Sequence, residues 1–217
     1  MPFKGWPIDA LAFYEQLEAD NTRTFWQSHK DVYEKAVREP MELLLTELEA
    51  EQGYGSYKIF RPNRDIRFSS DKSPYKTNLA ATLEKGPYVS LSAEGLGVGR
   101  GYYMMAKDQL AAYRGAVAAE STGEELETIC GGLRKAGIEV TGHDSLKTAP
   151  RGYPKDHPRI GLLRNKGLIA WRHWEPVGWL HTKAVKARIV DFTERSQPLV
   201  DWLDTHVGPS QLEGAWG

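Results

Sequence analysis

Cysteine, long apolar runs and net charge are all scarce in this chain of 217 residues. Its one cysteine, Cys130, excludes an intrachain disulfide and fits a reducing compartment. No run approaches the ~20 apolar residues of a membrane span, and the N-terminal stretch MPFKGWPIDALAFYEQL lacks the apolar core of a signal peptide. We therefore expect a cytoplasmic protein with no membrane partner. A formal net charge of −1 argues against a protein that coats nucleic acid non-specifically, but it is compatible with local basic patches.

Composition and periodicity predict an α+β fold. The chain is 41% hydrophobic and 26% charged, as in ordinary globular proteins. Apolar residues recur every three or four positions over residues 33–48, which predicts a helix in which Pro40 produces a kink or begins a second helix. Apolar and polar residues alternate over residues 78–92, which predicts two strands. We expect a single domain over residues 1–217, with a central, mostly antiparallel sheet near residues 57–103, N-terminal helices on one face and further helices after the sheet.

Glycine occupies every second position of a third predicted strand, at Gly95, Gly97, Gly99 and Gly101. Because strand side chains alternate between faces, the four glycines line one face. A bare face lets a helix, another backbone or a ligand approach closely, and we favour a helix. The spacing is not that of a dinucleotide fingerprint.

The most basic segment, KIFRPNRDIRFSSDKSPYKT, holds six basic residues against two acidic residues. Read as a strand, it places Ile66 and Phe68 on one face and Asp65 and Arg67 on the other. Guanidinium groups match phosphate and carboxylate geometry, so we interpret the segment as an anion site in which Asp65 orients an arginine. A ladder of exposed ion pairs is the structural alternative. The candidate ligand-binding residues in this segment are Arg61, Arg64, Asp65, Arg67, Asp71, Lys72, Tyr75 and Lys76. Tyr75 either donates a hydrogen bond to a ligand or simply packs its ring.

A second basic region runs from His143 to Arg172, with seven basic residues against two aspartates. It contains a loop rich in proline and charge, where binding residues are common. The candidate ligand-binding residues here are Arg151, Tyr153 and His157. In the functional interpretation, His157 is a general base or donates a hydrogen bond to an anion. In the structural interpretation, it is an exposed or helix-capping residue. Cys130 lies on an apolar helical face, which indicates a core residue rather than a nucleophile.

The chain lacks the catalytic motifs that would assign it a reaction. The chain contains no serine-centred elbow, phosphate loop or zincin signature, and its histidines lack the spacing of a metal site. We expect no metal, and the sequence assigns no cofactor and no catalytic residue.

Our leading hypothesis is that the two basic regions meet in a cleft that binds an anionic ligand, most simply a phosphorylated small molecule. One alternative is hydrolysis of a phosphoester by Asp65, Asp71 and His157. Another is nucleic-acid binding, with arginines on phosphates and tyrosines stacked on bases. Whether the protein is an enzyme, and its oligomeric state, are left open.

Four segments together resemble a bacterial family catalogued as domain of unknown function 2461. They are LAFYEQLEADNTRTFWQSHKDVYEKAVREP, IFRPNRDIRFSSDKSPYKT, GLGVGRGYY and APRGYPKDHPRI. The resemblance spans nearly the whole chain, and RDIRFSSDKSPYKT is its most specific part. It implies a compact α+β domain of about this length and brings no established substrate, cofactor or catalytic residue.

Overall fold

The computed structural model describes residues 1–67 and 69–212. Its helices are α1 (Ile8–Ala19), α2 (Arg23–Val32), α3 (Glu39–Gln52), α4 (Lys107–Ala118), α5 (Glu120–Lys135), α6 (Ile160–Leu163) and α7 (Ala184–His206). Its strands are β1 (Tyr57–Ile59), β2 (Asn78–Leu83), β3 (Tyr88–Ser92), β4 (Gly95–Tyr102), β5 (Glu139–Thr141) and β6 (Leu168–Trp174). The strands form a six-stranded antiparallel sheet in the order β1-β2-β3-β4-β6-β5, so the predicted α+β fold is confirmed.

Two compact units divide the chain. Unit 1 comprises Met1–Val98 and His173–Asp191, and unit 2 comprises Gly99–Arg172 and Phe192–Gly217. The prediction of one domain over residues 1–217 stays a prediction. None of the helices in the described ranges has the length and apolar character needed to cross a bilayer.

In unit 1, the N-terminal helices pack on the first strands of the sheet. The predicted helical stripe is buried at Met41, Leu44 and Leu48, and α3 and α1 contact β1 and β3 respectively. Alternation places Leu79 opposite Leu91 in the β2–β3 hairpin, and both side chains are buried. The apolar face of the hairpin therefore supplies the core against which these helices lie.

Pro40 is accommodated by a change of helical pitch. Residues Tyr33–Arg38 form a π-helical turn, and α3 begins at Glu39 with Pro40 in its first turn. Proline has no N–H to donate, and the first turn of a helix is where that donor is not needed. The sequence predicts a kink or a second helix at Pro40, and the structure has a change of pitch there, from the π-helical turn to α3, with helical backbone throughout.

In unit 2, α4 and α5 pack together and α5 contacts β5. The buried side chains of this layer include Tyr113, Leu126 and Leu133. The Trp202 indole N–H of α7 donates to the carbonyl of Thr122 at 3.0 Å. A buried indole requires such a partner, so this bond fixes the α7 segment of unit 2 on α5.

The glycine positions of β4 contact strand residues rather than a helix. A Cβ at Gly95 would lie 2.1 Å from the Trp174 carbonyl oxygen, and one at Gly101 would lie 2.5 Å from that of Leu168. A Cβ at Gly99 would lie 2.8 Å from the Trp171 ring. The helix that we favoured is therefore wrong at these three positions, where residues of β6 make the close approach.

An ion-pair cluster in unit 1 joins the N-terminal residues, α3 and the first turn of α7. The Lys186 ammonium donates to Glu47 at 2.5 Å and to Glu51 at 2.9 Å, and the Phe3 N–H donates to Glu47 at 2.6 Å. The Lys186 bond, followed by the Phe3 bond, lowers the pKa of the Glu47 carboxyl. A carboxyl whose pKa is lower in the folded state stabilises the fold above its unfolded pKa, and loses that contribution as the pH falls through its folded pKa.

We expect Glu47→Gln to reduce the free energy of unfolding at neutral pH by about 1–2 kcal/mol, because two hydrogen bonds to a charged group are weakened. The variant should also show a smaller loss of stability between about pH 5 and pH 3 than the parent protein. Urea unfolding across this pH range is the measurement, with the exposed Glu49→Gln on the same helix as control. Parallel pH profiles for the parent and Glu47→Gln would contradict the assignment.

Candidate functional site

The basic segment connects β1 to β2 as a loop, residues 60–77, which we call the basic loop. Its two arms are antiparallel: the Arg64 N–H donates to the Pro74 carbonyl at 2.9 Å and the Lys76 N–H to the Pro62 carbonyl at 2.8 Å. Asn63 and Tyr75 form an isolated antiparallel bridge between them. Residues 65–67 and 69–73 lie beyond these bonds and form the tip of the loop.

The strand predicted over residues 65–68 is wrong for residues 65–67, and Phe68 lies outside the described residues. The two aspartates explain the difference. The Asp65 carboxylate accepts from the Arg67 N–H at 3.2 Å, and the Asp71 carboxylate accepts from the Ser73 N–H at 2.9 Å. Such bonds to the backbone two residues ahead favour turns, because they occupy amides that a neighbouring strand would need.

Each aspartate also binds one arginine. Arg67 forms a two-pronged contact with Asp65, Nε to Oδ1 at 3.0 Å and Nη2 to Oδ2 at 2.7 Å. Arg64 donates through Nη1 to Asp71 Oδ2. The Arg67 side chain is 76% exposed and that of Arg64 is 31% exposed, so both pairs lie in contact with solvent. Asp65 therefore holds Arg67 in one orientation, a contact that both the anion-site interpretation and the ion-pair alternative accommodate.

Hydrogen bonds hold both carboxyls in their charged form. Bonds from the Arg67 side chain and then its backbone N–H lower the pKa of Asp65, and the charge of Arg61 adds to this effect. Bonds from Ser73, and then from Arg64, hold the pKa of Asp71 well below its usual range. Carboxylates stabilised in this way are poor proton donors.

Three further cations of the basic loop form no ion pair within the described residues. Arg61 is exposed, and Lys72 donates to the Ile66 carbonyl at 2.9 Å. The Lys76 ammonium lies 5.6 Å from the centroid of the Phe60 ring. The basic loop therefore has more cationic groups than its two carboxylates can neutralise.

Tyr75 anchors the base of the loop. The residue is 8% exposed, and its ring stacks on Trp26 with centroids 4.3 Å apart and planes 10° apart. The Asn21 side chain accepts from the Tyr75 N–H and donates to the Tyr75 carbonyl, both at 3.1 Å. Sequence reasoning missed Asn21 and Trp26, since nothing in the local pattern signals their contacts with Tyr75, which lies 54 positions after Asn21.

The second predicted group lies in unit 2. Arg151 is exposed and Tyr153 is half-buried, and both lie in turns after Pro150. His157 Nδ1 accepts from the Arg159 N–H at 3.0 Å, so neutral His157 carries its proton on Nε2. His157 therefore stabilises the turn before α6, while its role in binding stays a prediction. Because the two basic regions belong to different units, their meeting in one cleft stays a prediction.

Arg159 is a buried cation in unit 2. Its guanidinium donates to Glu127 at 2.9 Å and to the backbone carbonyls of Val117 and Glu120 at 3.5 and 3.3 Å. The side chain is 8% exposed, which marks it as structural. Sequence reasoning counted it only as one of seven bases, since spacing alone does not distinguish a buried arginine from an exposed one.

Cys130 is confirmed as a core residue. It is 1% exposed, and burial raises the pKa of its thiol to about 11. Its thiol is therefore protonated near neutral pH, which disfavours nucleophilic chemistry. Within residues 1–67 and 69–212, no group of three or more His, Cys, Asp or Glu side chains is arranged to hold a metal ion.

A family model described as "Conserved hypothetical protein (DUF2461)" matches residues 9–202. The chain matches no curated protein and no solved structure. The family match covers most of the chain, including the basic loop, α5 and the loop that carries His157. The chain therefore belongs to the DUF2461 family of conserved hypothetical proteins.

Proposed function

We propose that the protein binds an anionic small ligand, most simply a phosphorylated one, through the basic loop of unit 1. The observation that supports this function is the imbalance of charge at the loop. Two carboxylates are each bound to one arginine, while Arg61, Lys72 and Lys76 form no ion pair within the described part of the chain. Phosphate oxygens are the acceptors that such a group of donors recognises.

The fixed base of the loop also favours binding. Asn21 and the Trp26 ring hold Tyr75, so the two arms begin from a packed platform. Asp65 holds Arg67 in a defined orientation without burying it. Cations that are oriented before the ligand arrives lose less side-chain entropy on binding.

Binding is better supported than hydrolysis of a phosphoester. Asp65 and Asp71 accept hydrogen bonds from arginines and backbone amides, and their lowered pKa values keep them ionised. A general acid needs a proton near the working pH, and a metal-assisted step needs carboxylates that are available as ligands. The two aspartates therefore act as supports for arginines in this proposal.

Inorganic pyrophosphate is a direct probe of the basic loop. At a concentration about tenfold above its dissociation constant, binding to the folded state adds about 1.4 kcal/mol. We expect a rise in the melting temperature of ~3–6 °C for a chain of this size. Arg61→Ala and Lys72→Ala should each weaken binding by about 10–100-fold, because each removes a charged hydrogen-bond donor.

Lys30→Ala is the matched control, since it removes an exposed cation from α2 outside the loop. It should leave the pyrophosphate titration unchanged. A thermal shift that is equal in the parent protein and in both loop variants would show that pyrophosphate does not bind at the basic loop. Binding of a single-stranded oligonucleotide without binding of pyrophosphate would favour the nucleic-acid alternative, with affinity that falls steeply with salt.

A further inference from the structure

A pocket of about 360 Å³ lies wholly within unit 2, apart from the basic loop. One wall is a face of α5 that presents Glu127, Cys130 and Arg134, spaced by three and four residues. The facing walls come from β5, through Val140 and Thr141, and from the α6 region, through Leu162 and Asn165. Its volume lies in the range of small-molecule sites.

Two arginines line the pocket, and among the described residues only one of them is paired with a carboxylate. Arg159 and Glu127 both line the pocket and neutralise each other through a 2.9 Å ion pair. The Arg134 side chain forms no hydrogen bond and no ion pair within the described residues, and it lies close enough to lower the pKa of the Cys130 thiol against the larger effect of burial. The pocket therefore has one positive charge without a counter-charge.

The remaining lining is suited to the body of an organic molecule. Val140, Leu162 and Pro158 are apolar, and the protonated Cys130 thiol behaves as a small hydrophobe. The Asn165 amide, which makes no side-chain hydrogen bond within the described residues, supplies a donor and an acceptor. One arginine without a counter-charge, beside the mutually neutralised Glu127 and Arg159 and these apolar groups, matches a monoanion better than a dianionic phosphate.

We propose that this pocket binds a small organic carboxylate, with the Arg134 guanidinium on the carboxylate and the apolar body against Cys130, Val140 and Leu162. The site shares no residue with the basic loop and does not rest on the function proposed for it. No covalent step is involved.

Cys130 makes the proposal directly measurable. It is the one cysteine in the chain and it lines this pocket, so a small thiol reagent such as methyl methanethiosulfonate has a single target, and its slow labelling of this buried, protonated thiol reports on access to the site. A ligand that fills the pocket slows labelling by the factor 1 + [L]/Kd, which is about fivefold at four times Kd. The probes are benzoate and hexanoate, titrated to about 20 mM, a range that detects millimolar dissociation constants. Benzamide is the uncharged analogue of benzoate.

We expect at least one of the two carboxylates to slow labelling, and benzamide to have less effect than benzoate. Arg134→Gln should abolish most of the protection, whereas Lys135→Gln, which removes the neighbouring cation outside the pocket, should keep it. Arg134 is exposed and has no ion pair among the described residues, so Arg134→Gln should fold, and its unchanged melting temperature is the check.

Three results would overturn the proposal: no protection by either carboxylate, equal protection in Arg134→Gln, or protection by inorganic phosphate alone. The thermal shift with pyrophosphate is read from the parent protein and the loop variants, so the two proposals succeed or fail separately.

Discussion

Replacing Gly5 by alanine is expected to lower the free energy of unfolding by about 3–5 kcal/mol, because steric overlap and backbone strain combine. Gly5 has φ +105°, and a Cβ there would lie 2.2 Å from both the His181 carbonyl carbon and the Thr182 nitrogen. Those atoms are backbone, so no side-chain rotation relieves the overlap. The adjacent hydrogen bonds, Trp6 N–H to the Leu180 carbonyl at 3.0 Å and His181 Nδ1–H to the Trp6 carbonyl at 2.8 Å, hold the two segments together.

Gly53→Ala separates strain from overlap. Gly53 ends α3 with φ +65°, and a Cβ there would meet nothing within 4 Å. Only the cost of a left-handed alanine applies, about 1 kcal/mol. Urea unfolding of both variants gives the comparison. Equal losses of stability in the two variants would show that residues 5 and 181 separate at little cost.

Arg159→Ala is expected to lower the free energy of unfolding by about 2–4 kcal/mol, because it removes a buried partner from several groups at once. The carbonyls of Val117, at the end of α4, and Glu120 lose a charged donor. Glu127 also loses its partner, but it is half-exposed and water can solvate it. The guanidinium packs closely enough that a Cβ at Gly123 would lie 2.7 Å from it. Deleting it therefore leaves a void as well as unpaired carbonyls.

Arg151→Ala is the matched control, since Arg151 is an exposed cation in the same loop. A surface substitution of this kind changes stability by about 0.5 kcal/mol or less. Urea unfolding should give a lower midpoint for Arg159→Ala and an almost unchanged one for Arg151→Ala. If the two arginines prove equally dispensable, the bonds to the α4 and α5 carbonyls contribute nothing to stability.

Periodicity predicted the elements that depend on local sequence. The apolar stripe of residues 33–48 gives the buried face of α3, and Pro40 marks the start of that helix. The alternation over residues 78–92 gives the β2–β3 hairpin. The π-helical turn before Pro40 was not predicted, because its pitch depends on how the chain satisfies the carbonyls that proline leaves without a donor.

The strand predicted over residues 65–68 failed for a physical reason that the sequence contains. Asp65 and Asp71 each accept from an amide two residues ahead, which is typical of aspartate in turns. Apolar residues at alternate positions suggested a strand instead. The side-chain hydrogen bonds of the two aspartates, together with Pro62 and Pro74 in the same loop, determine the local structure, and the alternation of two apolar residues does not.

Parts of the candidate sites that depend on distant contacts were beyond prediction. The bonds from Asn21 to Tyr75 join residues 54 positions apart, and those from Arg159 reach back 32 to 42 positions. Sequence could show that cations are concentrated in two regions. It could not show which cations are already bound by carboxylates or carbonyls, which is what distinguishes Arg61 from Arg159.

The hydrogen bonds that hold Asp65 and Asp71 ionised have a consequence for regulation. Residues 58–77 contain no histidine, the side chain whose charge ordinarily changes between pH 5 and 8. With both aspartates titrating below their usual range, mild acidification of the surrounding solution would leave the charge of this surface unaltered. Any response of ligand capture to mild acid would then originate in the ligand itself, since a phosphate monoester gains a proton near pH 6.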